Sequence, residues 1–179
     1  MILHADRNGF LYAIDRTNGA FVYATPFVKR LNWTAGIDAQ TGKPVDYDPE
    51  AKIQHYAGVA PSRAKPQSEL MCPGAMGGKN WIPMAYHPGL GRLYIPVIES
   101  CGKISTSPVE EGGTNIPREW FTAGGITNPE VITGSLTVVD VKQGKVVHKL
   151  ETRYPLLGGL LATAGNLVFS AMPDGDVIA

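Results

Sequence analysis

Residues that could carry chemistry are few and scattered along the chain. There are two cysteines, Cys72 and Cys101, and neither stands in a Cys-x-x-Cys pair with histidines at zinc spacing. The four histidines have no nearby Ser or Cys in a nucleophile motif, which argues against a hydrolase. The two cysteines favour one disulfide, which would indicate an oxidising compartment, and two buried free thiols are the alternative.

One glycine-rich segment has the appearance of a phosphate-binding loop. Residues 74–80 read GAMGGKN, but Pro73 occupies the first required glycine and Asn80 stands where Ser or Thr would hold magnesium. The glycines of residues 89–91 precede an apolar strand, whereas a dinucleotide fold needs them after one. We therefore predict no nucleotide site at residues 74–80 and a hairpin turn at residues 89–91.

Composition and charge exclude two classes of partner. Sixteen Lys and Arg balance sixteen Asp and Glu, so no positive excess is available to neutralise phosphates or anionic lipids. No apolar run approaches the roughly 20 residues of a bilayer span, and the first residues do not form a signal peptide. Hydrophobic residues make up 44% of the chain, which is enough for a core. We expect a folded protein with no nucleic acid partner and no membrane span.

A repeated phrase predicts the elements that position the polar residues. A glycine opens a short apolar strand that ends at an aspartate, and an Asp-x-x-x-Gly turn follows, at residues 9–19 and again at residues 134–144. Asp can accept hydrogen bonds from backbone amides ahead of it and Gly can adopt positive φ, so each copy predicts a β-hairpin. Residues 38–42 repeat the turn without a clean strand before it.

The arrangement of these units predicts the fold class. Gly (21) and Pro (14) punctuate short runs of Val, Ile, Leu, Thr and Tyr, which is typical of an all-β chain. Hairpins separated by long irregular stretches, at 26–70 and 99–133, favour the blades of a β-propeller. The alternative is a set of similar hairpins in an unrelated β-sandwich. A last strand at 166–171 leads into another turn, and we expect residues 1 and 179 both to interrupt a repeat.

Three phrases in a fixed order resemble the pyrroloquinoline quinone (PQQ)-dependent methanol and ethanol dehydrogenases. They are HADRNGFLY with DRTNG at residues 4–19, CPGAMGGKNWIPMAY at 72–86 and LATAGNLVF at 161–169. The resemblance implies that residues 1–179 are all-β and form a partial β-propeller of antiparallel four-stranded sheets, truncated at both ends. About two blades of an eight-bladed propeller would be present.

The resemblance also implies an activity for the parent protein. In that family PQQ lies on the propeller axis beside a calcium or lanthanide ion, and hydride from a primary alcohol passes to the quinone C5. An aldehyde is formed, and the electrons go to a cytochrome c in the periplasm. The family's catalytic aspartate and metal ligands fall outside this chain, so we expect the chain to be inactive without the remainder of the propeller. The alternative is a non-catalytic propeller-like binding module that has lost the active site.

Two residues match cofactor-binding positions of the family. Arg7 matches an arginine that stabilises negative charge on the quinone oxygen. Asn80 matches an amide side chain that hydrogen-bonds the quinone. Cys72 and Cys101 match a family disulfide.

Other positions depart from the family pattern. Leu157 stands where many relatives have a tryptophan near the cofactor, and Tyr23 and His148 occupy the places of tryptophans that lock neighbouring blades. We expect Trp81, which follows Asn80, to pack between blades and not to contact the cofactor.

Overall fold

The structure is a computed structural model that describes residues 1–56, 59–61, 65–106 and 124–179. No helix occurs within these ranges, and none there is long and apolar enough to cross a membrane. All described strand pairs are antiparallel. The strands are β1 (Ile2–Ala5), β2 (Phe10–Ile14), β3 (Phe21–Pro26), β4 (Ala85–His87), β5 (Arg92–Glu99), β6 (Lys103–Thr106), β7 (Gly124–Thr127), β8 (Thr133–Asp140), β9 (Lys145–Thr152), β10 (Leu160–Ala162), β11 (Val168–Ala171) and β12 (Val177–Ile178).

These strands form a series of small sheets. The strand orders are β1-β2-β3, β4-β5-β8-β9, β10-β11-β12 and the separate pair β6-β7. The predicted all-β class is confirmed, and the four-stranded pattern is complete in the second of these sheets. The turn at residues 89–91 joins β4 to β5 as predicted.

The two copies of the repeated phrase fold in the same way. The first forms the hairpin β2-β3 and the second forms β8-β9, and in each the register shifts at the equivalent place, between Ala13 and Ile14 and between Val138 and Val139. Each turn is closed by a hydrogen bond from the glycine N–H to the aspartate carbonyl, 2.8 Å long in both. A shared β-bulge at a shared position indicates that the two hairpins are copies of one structural unit.

The core lies between the first sheet and the four-stranded sheet. Leu11 and Phe27 from the first sheet's side meet Ile95, Val97 and Val139 from the second, and all are fully buried. β5 is buried on both faces because it lies inside its sheet and between neighbouring elements. Burial of these aliphatic side chains holds the two sheets together.

Tyr23 fastens the first sheet to the second hairpin. Its hydroxyl donates a hydrogen bond to the Val141 carbonyl at 2.9 Å, and its ring covers Gly144 so closely that a β-carbon there would lie 2.8 Å from Tyr23 Cγ. Thr25 Oγ1 donates to the Gly144 carbonyl at 2.6 Å. Tyr23 therefore contacts the neighbouring sheet, whereas His148 on β9 is exposed.

Candidate functional site

Arg7 lies at the tip of a tight turn between β1 and β2. Asp6 Oδ1 accepts a hydrogen bond from the Asn8 N–H at 2.9 Å, and Asn8 Oδ1 accepts one from the Phe10 N–H at 3.0 Å. Gly9 adopts a φ of +95° and its N–H donates to the Asp6 carbonyl at 3.1 Å. These bonds fix the shape of the turn and leave the Arg7 side chain exposed.

A second loop, residues 71–80, lies directly against this turn. The Gly78 N–H donates to the Arg7 carbonyl at 2.8 Å, and the Gly78 carbonyl accepts from Ile98 N–H at 2.8 Å, which links the turn to β5. A β-carbon on Gly77 would lie 2.7 Å from Arg7 Cβ and 2.8 Å from the Arg7 carbonyl oxygen. Only glycine permits this approach, which explains the glycine pair in the sequence.

The side chains of Arg7 and Asn80 both bond to this loop. Arg7 Nη2 donates to the Ala75 carbonyl, and Asn80 Nδ2 donates to the Met76 carbonyl at 3.3 Å. Ala75 and Met76 are consecutive, so the two predicted residues bond to neighbouring carbonyls of one loop. Asn80 Oδ1 accepts from the Trp81 N–H at 2.9 Å. This bond directs the NH2 end of the Asn80 amide away from the Trp81 N–H.

A disulfide anchors the same loop to the end of β5. Cys72 and Cys101 are bonded, with an S–S distance of 2.01 Å and a Cα–Cα distance of 4.5 Å, so the expected disulfide is present and the alternative of free thiols is wrong. The Gly74 N–H also donates to the Ser100 carbonyl at 2.9 Å. The loop that carries Asn80 is therefore held at both its Arg7 side and its β5 side.

Trp33 is a contact of the Arg7 turn to which the sequence assigned no role. Its indole Nε1–H donates to the Asn8 carbonyl at 2.7 Å. Its ring packs edge-on against Phe10, with centroids 6.1 Å apart, and against Tyr56, with centroids 5.4 Å apart. The only sequence signal was a large aromatic residue in an otherwise irregular stretch, which is too weak to indicate a partner.

Lys79 is a second residue that the sequence left unassigned. It is only 9% exposed, and its Nζ donates to the Asn80 carbonyl at 2.8 Å. Burial lowers the pKa of the Lys79 ammonium because the charged form loses its hydration. Lys79 therefore contributes to fixing the backbone of Asn80.

Trp81 is 81% exposed in this chain, and the expectation that it packs between blades stays a prediction. Its neighbour Ile82 takes the inward position at 2% exposure. Trp81 therefore points outward beside Asn80. Leu157, at the family's tryptophan position, is 40% exposed, whereas its neighbour Leu156 is buried.

An open recess of about 370 Å³ adjoins the Arg7 turn. It is bordered by that turn and by Trp33, Tyr56, Met71 and Pro73. Among the residues that the structure describes, no group of three or more His, Cys, Asp or Glu side chains could hold a metal ion. The recess therefore places the guanidinium of Arg7 beside an aromatic and aliphatic surface, and Asn80 is not among its lining residues.

Blade-like antiparallel sheets joined by repeated hairpins define part of a β-propeller, and comparison with solved structures agrees. A quinohemoprotein alcohol dehydrogenase from Pseudomonas putida superposes with a TM-score of 0.75 at 29% identity, covering 98% of this chain and 26% of that chain. No protein-family model matches the chain.

Curated relatives give the family. A quinoprotein ethanol dehydrogenase from Pseudomonas putida is 40% identical over 173 residues, which are 96% of this chain and 27% of the relative. A lanthanide-dependent methanol dehydrogenase from Methylacidiphilum fumariolicum is 30% identical over 176 residues, 97% of this chain and 27% of the relative. The chain is thus a homologue of the quinoprotein alcohol dehydrogenases and spans about a quarter of their length.

Proposed function

We propose that this chain forms one wall of the PQQ site of an alcohol dehydrogenase, with Arg7 and Asn80 binding the cofactor. The observation that carries the proposal is that the two side chains bond to consecutive carbonyls, Ala75 and Met76, of one anchored loop. Two residues that are far apart in sequence, and that each match a cofactor contact of the family, are thereby tied to one loop.

The donor set fits a quinone. Quinone oxygens only accept hydrogen bonds, and a guanidinium offers five N–H donors and no acceptor. The amide of Asn80 is oriented by the bond from the Trp81 N–H to its Oδ1, so its Nδ2 is the end available as a donor. Glycines at 77 and 78 leave no β-carbon between the loop and the Arg7 turn.

The reaction proposed is oxidation of a primary alcohol to an aldehyde, and bound PQQ would supply the carbon that accepts the hydride. Arg7 would place its permanent positive charge beside a quinone oxygen, where it would stabilise negative charge more in the transition state than in the ground state. Asn80 orients the cofactor without adding a competing charge. Arg7 and Asn80 are thus proposed as contacts to the cofactor, and neither is proposed as the base.

The remaining parts of the site are proposed to come from the rest of the propeller. These are the aspartate base, the ligands of a calcium or lanthanide ion and the opposite wall of the PQQ pocket, so this chain alone would be inactive. The names of the lanthanide-dependent and quinohemoprotein relatives support a metal ion and a haem-type electron acceptor, for which we propose a cytochrome c. The parent protein is proposed to act in the periplasm.

The test is turnover of a primary alcohol by the complete protein that contains this segment, loaded with PQQ and calcium or lanthanum. Removing one preorganised donor from a developing oxyanion costs roughly 100- to 1,000-fold in kcat, and we expect such a loss for Arg7→Ala. Arg16→Ala is the matched control, because Arg16 is exposed in the turn at the other end of β2. Gln143→Ala is the matched control for Asn80→Ala, because Gln143 is exposed in the β8-β9 turn.

Equal turnover of the Arg7→Ala and Arg16→Ala proteins would contradict the proposal. Retained folding with no dependence on either Arg7 or Asn80 would instead favour the non-catalytic binding module.

A further inference from the structure

We propose that Trp33 is a positioning residue for Arg7, acting through the carbonyl of Asn8. This inference rests on the proposed function, in which the direction of the Arg7 guanidinium matters for the reaction. Trp33 lies 25 residues beyond Asn8 in a segment outside the sheets, and nothing in the sequence motif assigns it a role.

The hydrogen bonds of the turn at residues 6–9 fall into two kinds. Bonds of the first kind lie within the turn or its strand. The Asn8 N–H donates to the Asp6 side chain, and the Phe10 N–H donates to the Asn8 side chain. They fix its shape, but they do not fix its place relative to the rest of the protein. Hydrogen bonds to other segments fix its place. The Arg7 guanidinium donates to the Ala75 carbonyl, and the Gly9 carbonyl accepts from the Phe27 N–H at 2.9 Å. Two more act on the carbonyls at the tip: the Gly78 N–H donates to the Arg7 carbonyl and the Trp33 Nε1–H donates to the Asn8 carbonyl.

The bonds from Gly78 and Trp33 hold the consecutive carbonyls of Arg7 and Asn8 from two different segments. Gly78 belongs to the loop that carries Asn80, and Trp33 belongs to the stretch that follows β3. Because they hold the carbonyls of residues 7 and 8, they fix the two successive peptide planes that follow the Cα of Arg7. Loss of the Trp33 bond would release the Asn8 carbonyl, which lies between the carbonyls held by Gly78 and Phe27.

The indole is itself held rigidly. Its ring is perpendicular to Phe10, at an interplanar angle of 88°, and Phe10 is 4% exposed at the start of β2. Tyr56 meets another part of the ring at 70°. Edge-to-face contacts of this kind fix the ring orientation and so the direction of its N–H. The ring contact with Phe10 on β2 therefore sets where the Trp33 N–H lies, and the N–H in turn holds the Asn8 carbonyl.

The decisive variant is Trp33→Phe, which keeps an aromatic ring and removes the N–H. The first readout is hydrogen–deuterium exchange of the peptide containing Gly78 in the complete protein without cofactor. We expect exchange about tenfold faster, since the partner of this amide is the Arg7 carbonyl and one hydrogen bond holding the turn is lost. Tyr56→Phe, which keeps its ring against Trp33, is the control and should exchange as the unmodified protein does. Unchanged exchange in Trp33→Phe would overturn the inference.

The second readout is a double-mutant cycle on kcat/KM in the PQQ-loaded protein. If Trp33 acts through Arg7, Trp33→Phe lowers kcat/KM about tenfold when Arg7 is present and less than about twofold in the Arg7→Ala background. An equal effect in both backgrounds would show that Trp33 does not act through Arg7. If Arg7→Ala alone leaves turnover unchanged, the proposed function fails, and the exchange measurement still decides whether Trp33 positions the turn.

Discussion

Arg7 and Gly77 approach each other so closely that position 77 tolerates no side chain. The φ of Gly77 is +78°, and a β-carbon would meet both the side chain and the backbone of Arg7. Gly19 has nearly the same φ, +75°, with nothing within 4 Å of where a β-carbon would stand. Comparing substitutions at Gly19 and Gly77 therefore separates the free-energy cost of a positive φ from the cost of the contact with Arg7.

We predict that Gly19→Ala lowers the free energy of unfolding by about 1 kcal/mol, because a left-handed conformation is unfavourable for alanine. Gly77→Ala adds overpacking against Arg7 and should cost about 3 kcal/mol. Urea denaturation of the two variants measures the difference. Equal losses would mean that the Arg7 turn is not packed against the loop as described.

Arg7 and Asn80 could be proposed as cofactor contacts from the sequence because both lie inside long motifs. Trp33 and Lys79 were not recognised, because their roles are hydrogen bonds to backbone carbonyls, which leave no pattern of residue types. Nor did the sequence indicate that Ile82 would be buried while its neighbour Trp81 is exposed. Side-chain direction in irregular segments depends on contacts that sequence spacing does not encode.

At the scale of elements, the turns of the repeated unit depend on an ionised aspartate. Asp15 accepts from the Thr17 hydroxyl at 2.7 Å and from its N–H at 2.8 Å, and these bonds lower the pKa of Asp15. The N–H and hydroxyl of Thr41 lower the pKa of Asp38, and the N–H of Gln143 followed by the Arg92 guanidinium lowers that of Asp140. The sequence predicted these turns correctly because the aspartate and the amides that donate to it lie within three residues of each other, whereas Arg92 is a distant addition at Asp140.

These shifts predict an acid-dependent loss of stability. Each aspartate has a lower pKa in the folded state than in the unfolded chain, so the unfolded state binds more protons as the pH falls. The contribution is complete above the ordinary Asp pKa of about 4 and disappears as the pH drops through the folded value. We expect the stability difference between the unmodified chain and Asp15→Asn to be constant from pH 7 to about pH 5 and to shrink below about pH 4. A difference that grows as the pH is lowered would contradict this sign.

Glu99, at the end of β5, joins three elements through a buried carboxylate. It accepts from Ser135 Oγ on β8 at 2.7 Å, from Lys149 Nζ on β9 at 3.0 Å and from the Lys29 N–H beyond β3 at 2.9 Å. Its side chain is 8% exposed. None of these long-range partners was predicted, since pairing of β5 with β8 crosses a long loop that local patterns do not constrain.

We predict that Glu99→Gln destabilises the protein by about 3 kcal/mol, because it leaves the Lys149 ammonium without its buried counter-charge. Glu151→Gln is the control, since Glu151 pairs with Lys29 at the surface and its side chain is 68% exposed. That change should cost less than about 1 kcal/mol. Thermal unfolding of both variants distinguishes them, and equal shifts would show that the Glu99 network contributes no more than a surface pair.

On the scale of the whole molecule, one disulfide and one core connect the sheets to the candidate site. Cys72 and Cys101 are 29 residues apart, and their bond ties the loop that carries Asn80 to β5. Sequence patterns gave the sheet class and both repeated hairpins, but they could not give the order of sheets, which depends on contacts such as Tyr23 with Val141. The repeated hairpins favoured a propeller, and the family resemblance added the eight-bladed form and the proposed cofactor.

Replacing both cysteines with serine should lower the stability by about 3 to 4 kcal/mol, because closure of a loop of this length restricts the unfolded chain. The reductant TCEP should bring the unmodified protein to the same melting temperature and leave the double variant unchanged. A melting temperature of the unmodified protein that does not respond to full reduction would contradict a stabilising role for this bond.

The crystal structure of the complete protein bound to PQQ would test the central claim most directly. The account predicts that Arg7 and Asn80 Nδ2 each lie within about 3.2 Å of a quinone oxygen, with the loop at residues 71–80 keeping its disulfide and its bond to the Arg7 carbonyl. PQQ bound with neither side chain in contact, or the two side chains directed to different regions of the protein, would contradict it.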